Sequence, residues 1–355
     1  MAITYHSGRR IQATNTDIAS TPAVIGGWKE LGRVTVGAGQ TSVNLDVTSL
    51  TDKRYYMILH NHITDGTAMR IGIKFNGDDA TPYSYYETRN QGSNPRTGDT
   101  NNAGGSELNV TNALNTAENW FGVAYLANKA SENKLYLSHY AGQNATGANN
   151  APERVELAGK WTKGTDAVNQ ITASRVSGGG VADSGSELIV LGYDPADTHT
   201  TNFWEELASV DVSTGTSINS GTFTAKKYLW VQTYIDLTAS NYDYRFNSDG
   251  TSSYCNRLSN NGGNDVTQLS QSYLFPNHGF GVFPHFENMF IVNNASNEKL
   301  IISHTLGQGT AGAGTEPQRS ERVGKWTNTS EQITDINVAT TGNVNRLIMK
   351  VWGSN

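Results

Sequence analysis

Histidine is the side chain best placed for chemistry in this sequence, because two copies recur at matching positions. His139 ends the segment 134–139, and His304 ends the similar segment 299–304. An imidazole can act as a general base or as a metal ligand. Recurrence inside a duplication favours a shared structural role instead, such as a histidine held by a hydrogen bond at a strand end. We therefore assign neither histidine to catalysis.

Two further groups of side chains could bind metal ions. His60 and His62 lie two residues apart on a predicted strand and so face the same side, but no third ligand is visible. Asp78, Asp79 and Asp249 lie in Asn/Gly turns and could bind Ca²⁺ through oxygen. EF-hand spacing is absent, and aspartate is an ordinary turn residue. A structural or solvated histidine pair and plain turn carboxylates are the favoured interpretations, so we predict no metal site.

Two Arg-Glu pairs form the other repeated polar pattern, and each stands before a Gly-Lys-Trp tripeptide. The pairs are Arg154 with Glu156 and Arg319 with Glu321, and the tripeptides end at Trp161 and Trp326. One interpretation is a polar ligand site with a tryptophan platform. The favoured one is a cross-strand ion pair beside an aromatic ring that packs at the edge of the core.

Recognisable catalytic motifs are missing from the sequence. GxSxG, HExxH, a P-loop and a correctly placed GxGxxG are all absent. Spacing alone leaves paired carboxylates for glycoside hydrolysis open. Cys255 is the single cysteine, which excludes an intrachain disulfide or a cysteine zinc site and is typical of a small core residue. We expect no enzymatic activity and no cofactor, and we leave any ligand-binding residues unassigned.

The composition excludes several classes of partner. Charged residues make up 16% of the 355 residues, against about 25% in average domains. The net charge is −6 and the basic residues are scattered, so the chain lacks a nucleic-acid footprint. The beginning of the sequence has no apolar signal-peptide region, and no apolar run approaches 18 residues. We expect no membrane insertion and no secretory signal.

An internal repeat organises the chain. Trp161 and Trp326 match at an offset of 165 residues (326 − 161), as do His139 and His304. With small gaps Phe75 also matches Phe246. The predicted organisation is an extended N-terminal arm at 1–27, module 1 at 28–195, a linker at 196–203 and module 2 at 204–355. The repeat positions singled out are Phe75, Phe246, His139, His304, Arg154, Arg319, Trp161 and Trp326.

Alternating apolar residues predict strands throughout both modules. Residues 228–235 are apolar on both faces, which predicts a fully buried strand. Turn clusters separate such runs, and the spacing predicts an all-β chain of two tandem jelly-roll-like β-sandwiches. Four polar stretches read as long loops that could carry function: 88–117, 141–151, 255–272 and 307–317.

One motif is similar to that of a known protein family. Phe75-Asn76-Gly77-Asp78, followed by Tyr83 and Tyr85, resembles the RFNGD…YxY module of structural proteins of tailed bacteriophages; module 2 has Ser248 at the turn glycine. The resemblance implies a virion component, made in the host cytoplasm, of the tail appendage, fibre or capsid decoration type. Implied partners are further copies of itself, with a trimer as first guess, other virion proteins and a host-surface glycan.

Three other functions fit parts of the sequence. A pair of carbohydrate-binding modules would present exposed tryptophan and tyrosine platforms. A double jelly-roll major capsid protein fits the length, although a recognisable duplication is not typical of that lineage. A β-sandwich hydrolase would need the catalytic constellation that the motif search did not find.

Overall fold

The computed structural model describes residues 27–90, 99–111, 118–194, 197, 202–238, 241–275 and 282–355. These residues form strands, turns and bends, without an α-helix, so the chain is all-β as predicted. Residues 1–26 of the arm expected at 1–27 and most of the linker at 196–203 lie outside the described residues.

The strands fall into two sets that follow one another along the chain. Module 1 contains β1 (Lys29–Thr35), β2 (Asn44–Val47), β3 (Tyr55–His62), β4 (Met69–Phe75), β5 (Tyr83–Asn90), β6 (Asp99–Gly105), β7 (Leu108–Asn109), β8 (Trp120–Ala127), β9 (Lys134–Gly142), β10 (Glu153–Trp161), β11 (Ile171–Gly178) and β12 (Glu187–Tyr193). Module 2 contains β13 (Glu205–Val212), β14 (Ser217–Asn219), β15 (Tyr228–Leu237), β16 (Tyr242–Phe246), β17 (Tyr254–Asn260), β18 (Val266–Gln271), β19 (His285–Val292), β20 (Lys299–Gly307), β21 (Gln318–Trp326), β22 (Ile336–Thr340) and β23 (Val344–Ser354).

Each module contains one large and one small antiparallel sheet. In module 1 the large sheet has the order β1-β12-β3-β8-β9-β10-β5-β6 and the small sheet β2-β11-β4-β7. In module 2 the orders are β13-β23-β15-β19-β20-β21-β17-β18 and β14-β22-β16. The register repeats as well, because Lys134 lies opposite Trp161 and Lys299 lies opposite Trp326. Apart from β7, which has no counterpart among the described strands of module 2, the two modules therefore have the same strand order.

A core lies between the two sheets of each module, and the FNGD-type motif fixes one end of it. Asn76 has a positive φ of 54°, and its side-chain oxygen accepts hydrogen bonds from the backbone at 169 and 170. Asn247 has a φ of 50° and makes the equivalent bonds in module 2. Trp161 Nε1 donates to Asp78 at 3.0 Å, and Trp326 Nε1 donates to Asp249 at 2.8 Å. The tryptophan bonds engage one oxygen of Asp78 and one of Asp249, whereas the exposed Asp79 pairs with Lys74.

The two large sheets also pack against each other through their outer faces. We call this contact the junction; its apolar members include Met57, Leu59, Phe121, Val123, Ile189, Tyr228, Phe290, Leu300 and Ile302. It explains why β15 is apolar on both faces, although the strand is not fully buried as predicted, because Tyr234 is 38% exposed. Leu229 and Val231 enter the core of module 2, whereas Tyr228 enters the junction. The described chain is thus layered as small sheet, large sheet, large sheet and small sheet.

The expectation of long loops is wrong for two of the four stretches. Most of residues 255–272 form β17 and β18, and β6 and β7 lie within 88–117. The polar side chains of residues 255–272 predicted a solvent-exposed loop, but Asn256 and Arg257 are buried although they are not apolar. Of the two favoured interpretations of His60 and His62, burial excludes a solvated pair and fits a structural one, since both lie buried in module 1 with their rings 6.1 Å apart.

Candidate functional site

The two repeated histidines meet at the junction. His139 lies on β9 and His304 on β20, and His139 Nδ1 lies 2.9 Å from His304 Nε2. They border a cleft of about 240 Å³ between the two large sheets, which is also lined by Tyr125, Leu137 and Phe290. Burial lowers the pKa of His139 well below its ordinary value, and the neighbouring His304 and Arg154 act in the same direction. The His139 imidazole is therefore neutral near pH 7.

A carboxylate completes the polar group in this cleft. Glu156 Oε1 lies 3.6 Å from His139 Nε2, and the ligand atoms of Glu156, His139 and His304 all lie within 4.8 Å of one another. Arg154 Nη1 is 2.8 Å from the same Glu156 oxygen. A metal ion would have to displace this ion pair and the contact between the two imidazoles. The arrangement is better suited to holding the two sheets together.

The repeated arginines have different surroundings in the two modules. Arg154 is buried, and its second nitrogen donates to Asp265 of module 2 at 2.8 Å. Arg319 is exposed and pairs with Glu321 at 2.8 Å. The Arg-Glu ion pairs favoured from the sequence are present, but each lies along one strand, between residues two apart, rather than across strands. Only Arg154 also links the modules.

One loop of module 1 crosses the junction, and we call residues 143–152 the docking loop. Its carbonyls at 143 and 145 accept hydrogen bonds from Lys325 Nζ at 3.2 and 2.6 Å. Glu298 accepts from the Gln143 side chain at 2.8 Å and from the backbone N–H of Gly147 at 2.6 Å. Lys325 and Glu298 pair with each other at 3.1 Å and are both buried. A buried ion pair of module 2 therefore holds the loop.

Further contacts extend the seat of the docking loop along β17 and β18. Arg257 Nε donates to the carbonyl of Pro152 at 2.8 Å, and the Cys255 thiol donates to the carbonyl of Asn150 at 3.1 Å. The backbone N–H of Ser270 donates to the carbonyl at 148 at 2.9 Å. Burial raises the pKa of the Cys255 thiol to about 12, so this cysteine is unreactive near neutral pH.

In module 1, the part of the large sheet that corresponds to the seat of the docking loop and to the junction surface of module 2 is exposed, and we call it the open face. It comprises Tyr55, Tyr86, Tyr125, Leu135, Leu137, Ala158 and Lys160. Leu135 is 60% exposed and Leu137 58%, whereas their counterparts Leu300 and Ile302 are 2% and 1% exposed. One end of this face forms an aromatic groove of about 370 Å³, to which Trp28 and Tyr193 contribute.

The repeat positions chosen from the sequence thus fall into two places. Trp161, Trp326, Phe75 and Phe246 are buried in the cores of the two modules. His139, His304 and Arg154 meet at the junction, and Arg319 lies on its exposed margin. Sequence reasoning missed the buried Lys325–Glu298 pair and the open face. Leu135 and Leu137 alternate with core residues just as Leu300 and Ile302 do, which is a signal for a second apolar face.

Comparisons with known proteins do not assign a family. Neither the protein-family models nor the curated proteins contain a match to this chain. Among solved structures, Neisserial surface protein A is 7% identical with a TM-score of 0.11, over 81% of this chain and 99% of that one. An outer membrane channel from Pseudomonas putida F1 is 10% identical with a TM-score of 0.13, over 78% and 97%. Scores this low carry no argument about fold or function. Within the described residues, a helix of the length and hydropathy needed to span a bilayer is not found.

Proposed function

We propose that the protein is a non-enzymatic structural protein on the exterior of a virion, of the tail appendage, fibre or capsid decoration type. The observation that carries the proposal is the open face, an apolar surface on a large sheet whose counterpart in module 2 is fully covered. Contiguous exposed apolar surface marks an interaction site on a soluble protein. Such a surface on a rigid two-module body is suited to assembly.

The strand order supports a jelly roll in each module, which is the fold that the resemblance to virion proteins implies. Numbered in chain order, β1, β2, β3, β4, β7, β8, β11 and β12 give sheets of order 1-8-3-6 and 2-7-4-5. This is the order of an eight-stranded jelly roll. The remaining strands, β5, β6, β9 and β10, extend the larger sheet. Module 2 repeats the extension and seven of these eight strands, and its described small sheet has no strand that corresponds to β7.

Localisation on particles tests this proposal. Antibodies against the purified chain should label the exterior of virus particles from the source culture in immunogold electron microscopy. The chain should also sediment with those particles. A chain that stays wholly in the particle-free supernatant would contradict the proposal, and so would hydrolysis of a polysaccharide by the purified chain.

A glycan-binding function is the second candidate, and the aromatic groove favours it. Trp28 lies 5.9 Å from Tyr193 and 6.4 Å from Tyr125, measured between ring centroids. Trp28 and Tyr193 are half-buried, and aromatic rings that line a groove in this way can stack on sugar rings. Binding to a glycan array that is lost on Trp28→Ala, with the unfolding midpoint preserved, would support this function. Binding that survives the substitution would place the glycan elsewhere.

A further inference from the structure

We propose that the protein assembles head to tail with further copies of itself. Module 2 of one copy docks on the open face of module 1 of the next, and the contact repeats the junction that joins the two modules within each chain. This inference rests on the proposed assembly function and names the partner of the open face as a second copy of this chain.

Residues that are exposed on the large sheet of one module correspond to buried residues on the large sheet of the other. On β9 the exposed residues are Leu135 and Leu137, and Ala141 is fully buried. On β20 the pattern reverses, because Leu300 and Ile302 are buried and Leu306 is 48% exposed. A twofold contact would bury equivalent residues of both modules equally. His139 and His304 are equivalent residues and meet each other, but the apolar surfaces around them differ between the modules. The junction is therefore heterologous over its apolar part: module 1 offers one surface, module 2 offers a different one, and each module retains the other apolar surface without a partner among the described residues.

An aromatic pair shows both unfilled halves directly. Across the junction Phe121 stacks on Tyr228, with ring centroids 6.3 Å apart and an interplanar angle of 29°. The counterpart of Phe121 is Phe286, which is 43% exposed. The counterpart of Tyr228 is Tyr55, since they lie opposite Ala127 and Val292 in the same register. Tyr55 is exposed as well, with one side of its ring against Tyr193 at 6.5 Å between centroids, so the chain carries the two halves of a second such stack at separate places.

The docking loop also has a free counterpart, at residues 308–317. Gly147 of the docking loop has a φ of 88°, and Gly312 at the same place in the free loop has a φ of 92°. The glutamine and the proline that bound the docking loop recur as Gln308 and Pro317. The free loop is nevertheless almost wholly exposed. Its glycine keeps the conformation found in the docking loop, while no described part of the same chain forms a seat for it.

Polar groups on the open face can receive that free loop. Lys160 is the exposed counterpart of Lys325, and in the same geometry its ammonium would donate to the carbonyls at 308 and 310. Asn133 stands in place of Glu298 and offers an amide oxygen to the Gly312 N–H. Since Asn133 has no charge to pair with Lys160, the contact between copies is expected to be weaker than the one within the chain. The contact within the chain also benefits from a high effective concentration.

A heterologous contact forms a ring if its rotation closes and an open chain if it does not. In either case every copy uses one open face and one free loop. Disabling the two surfaces in different molecules therefore gives a specific test, because each molecule keeps the surface that the other lacks.

The experiment compares three arginine variants by sedimentation velocity over a concentration series. Leu137→Arg blocks the open face, and Phe286→Arg blocks the complementary surface of module 2. Val43→Arg is the matched control, because Val43 is 44% exposed but lies beside the small sheet of module 1. All three positions are exposed in the single chain, so the substitutions leave folding intact, which the unfolding midpoint of each variant confirms.

The wild type and Val43→Arg should associate with rising concentration in steps of 38.4 kDa. Each blocked variant alone should remain a single copy, with association weakened at least tenfold. An equimolar mixture of the two should form a pair and nothing larger. The proposal is overturned if the wild type stays single up to about 1 mM, the weak limit of specific binding, if either blocked variant associates normally, or if the mixture does not pair. If the chain is a single copy in solution but is detected on virus particles, the head-to-tail inference is contradicted and the proposed function is not.

Discussion

Leu137 and Ile302 occupy the same place in two copies of one sheet, yet Leu137 is 58% exposed and Ile302 is 1% exposed. The strand order, the register and the alternation of side chains around them are the same. The difference is that module 1 covers Ile302, whereas no described part of the chain covers Leu137. In a duplicated protein, the neighbour of a sheet decides its burial as much as its own pattern does.

The side chains that surround these two surfaces differ accordingly. The covered surface has Glu298 beside Lys325, and both are buried. The open face has Asn133 and Lys160, and both are exposed. A buried lysine needs a compensating charge and hydrogen-bond acceptors, whereas a solvated lysine does not. The covered surface therefore carries the acid that its burial requires.

Removal of the buried lysine should give the largest difference in stability between the two surfaces. Lys325→Met leaves the Glu298 carboxylate buried without its counter-charge, so the free energy of unfolding should fall by about 3–5 kcal/mol. Lys160→Met, at the exposed counterpart, should change it by less than about 0.5 kcal/mol. Urea unfolding at low protein concentration measures both. Equal losses in the two variants would show that the surfaces do not differ as described.

Truncation of the paired aliphatic residues should have the next largest effect. Ile302→Ala opens a cavity at the junction and should cost about 2–4 kcal/mol. Leu137→Ala removes exposed atoms and should cost less than about 0.5 kcal/mol in the single chain. Thermal and urea unfolding of dilute protein provide the measurement. A large loss for Leu137→Ala under these conditions would mean that another part of the same chain covers the open face.

Acidification should reveal a smaller difference in stability, which arises from residues in the cores of the two modules. Burial lowers the pKa of His60 to about 3 and of His62 to about 4, and module 2 has Thr233 and Ile235 at these places. Because both pKa values are depressed in the folded state, the unfolded chain binds protons first as the pH falls below about 6.5. Stability is therefore lost on acidification, by about 2 kcal/mol for the pair between pH 6.5 and 5.5.

The double variant His60→Thr/His62→Ile checks that origin. Its free energy of unfolding, followed by urea titration at several pH values, should fall less steeply with acid than that of the wild type. The same acid slope in both proteins would place the titrating groups elsewhere.

The sequence predicted much of this fold because its strongest signals are local. The all-β class followed from alternation and turn clusters, and the burial of Tyr228, Leu229 and Val231 followed from the two apolar faces of β15. Phe75 and Asn76 recur as Phe246 and Asn247 because each asparagine holds the same left-handed turn. Backbone geometry of that kind depends on few neighbours in the chain, so a short motif can report it.

The junction could not be predicted from the same signals. Leu135 and Leu300 are identical residues in matching segments, and neither pattern states which one will be covered. Arg257 and Asn256 are polar and therefore predicted a loop. In the structure Arg257 is buried beneath the docking loop, and Asn256 is buried as well. These outcomes depend on contacts between residues more than 100 positions apart, which periodicity does not record.

Cross-linking between copies tests whether the open face of one chain binds module 2 of another. Tyr55→Cys and Phe286→Cys are prepared in separate chains, mixed and treated with a short bismaleimide; Cys255 is buried and its thiol has a raised pKa, so it should not react. The account predicts a covalent pair in the mixture and none in either variant alone. Self-linked pairs of Tyr55→Cys chains, or no product in the mixture at concentrations where the wild type associates, would contradict head-to-tail assembly through the open face.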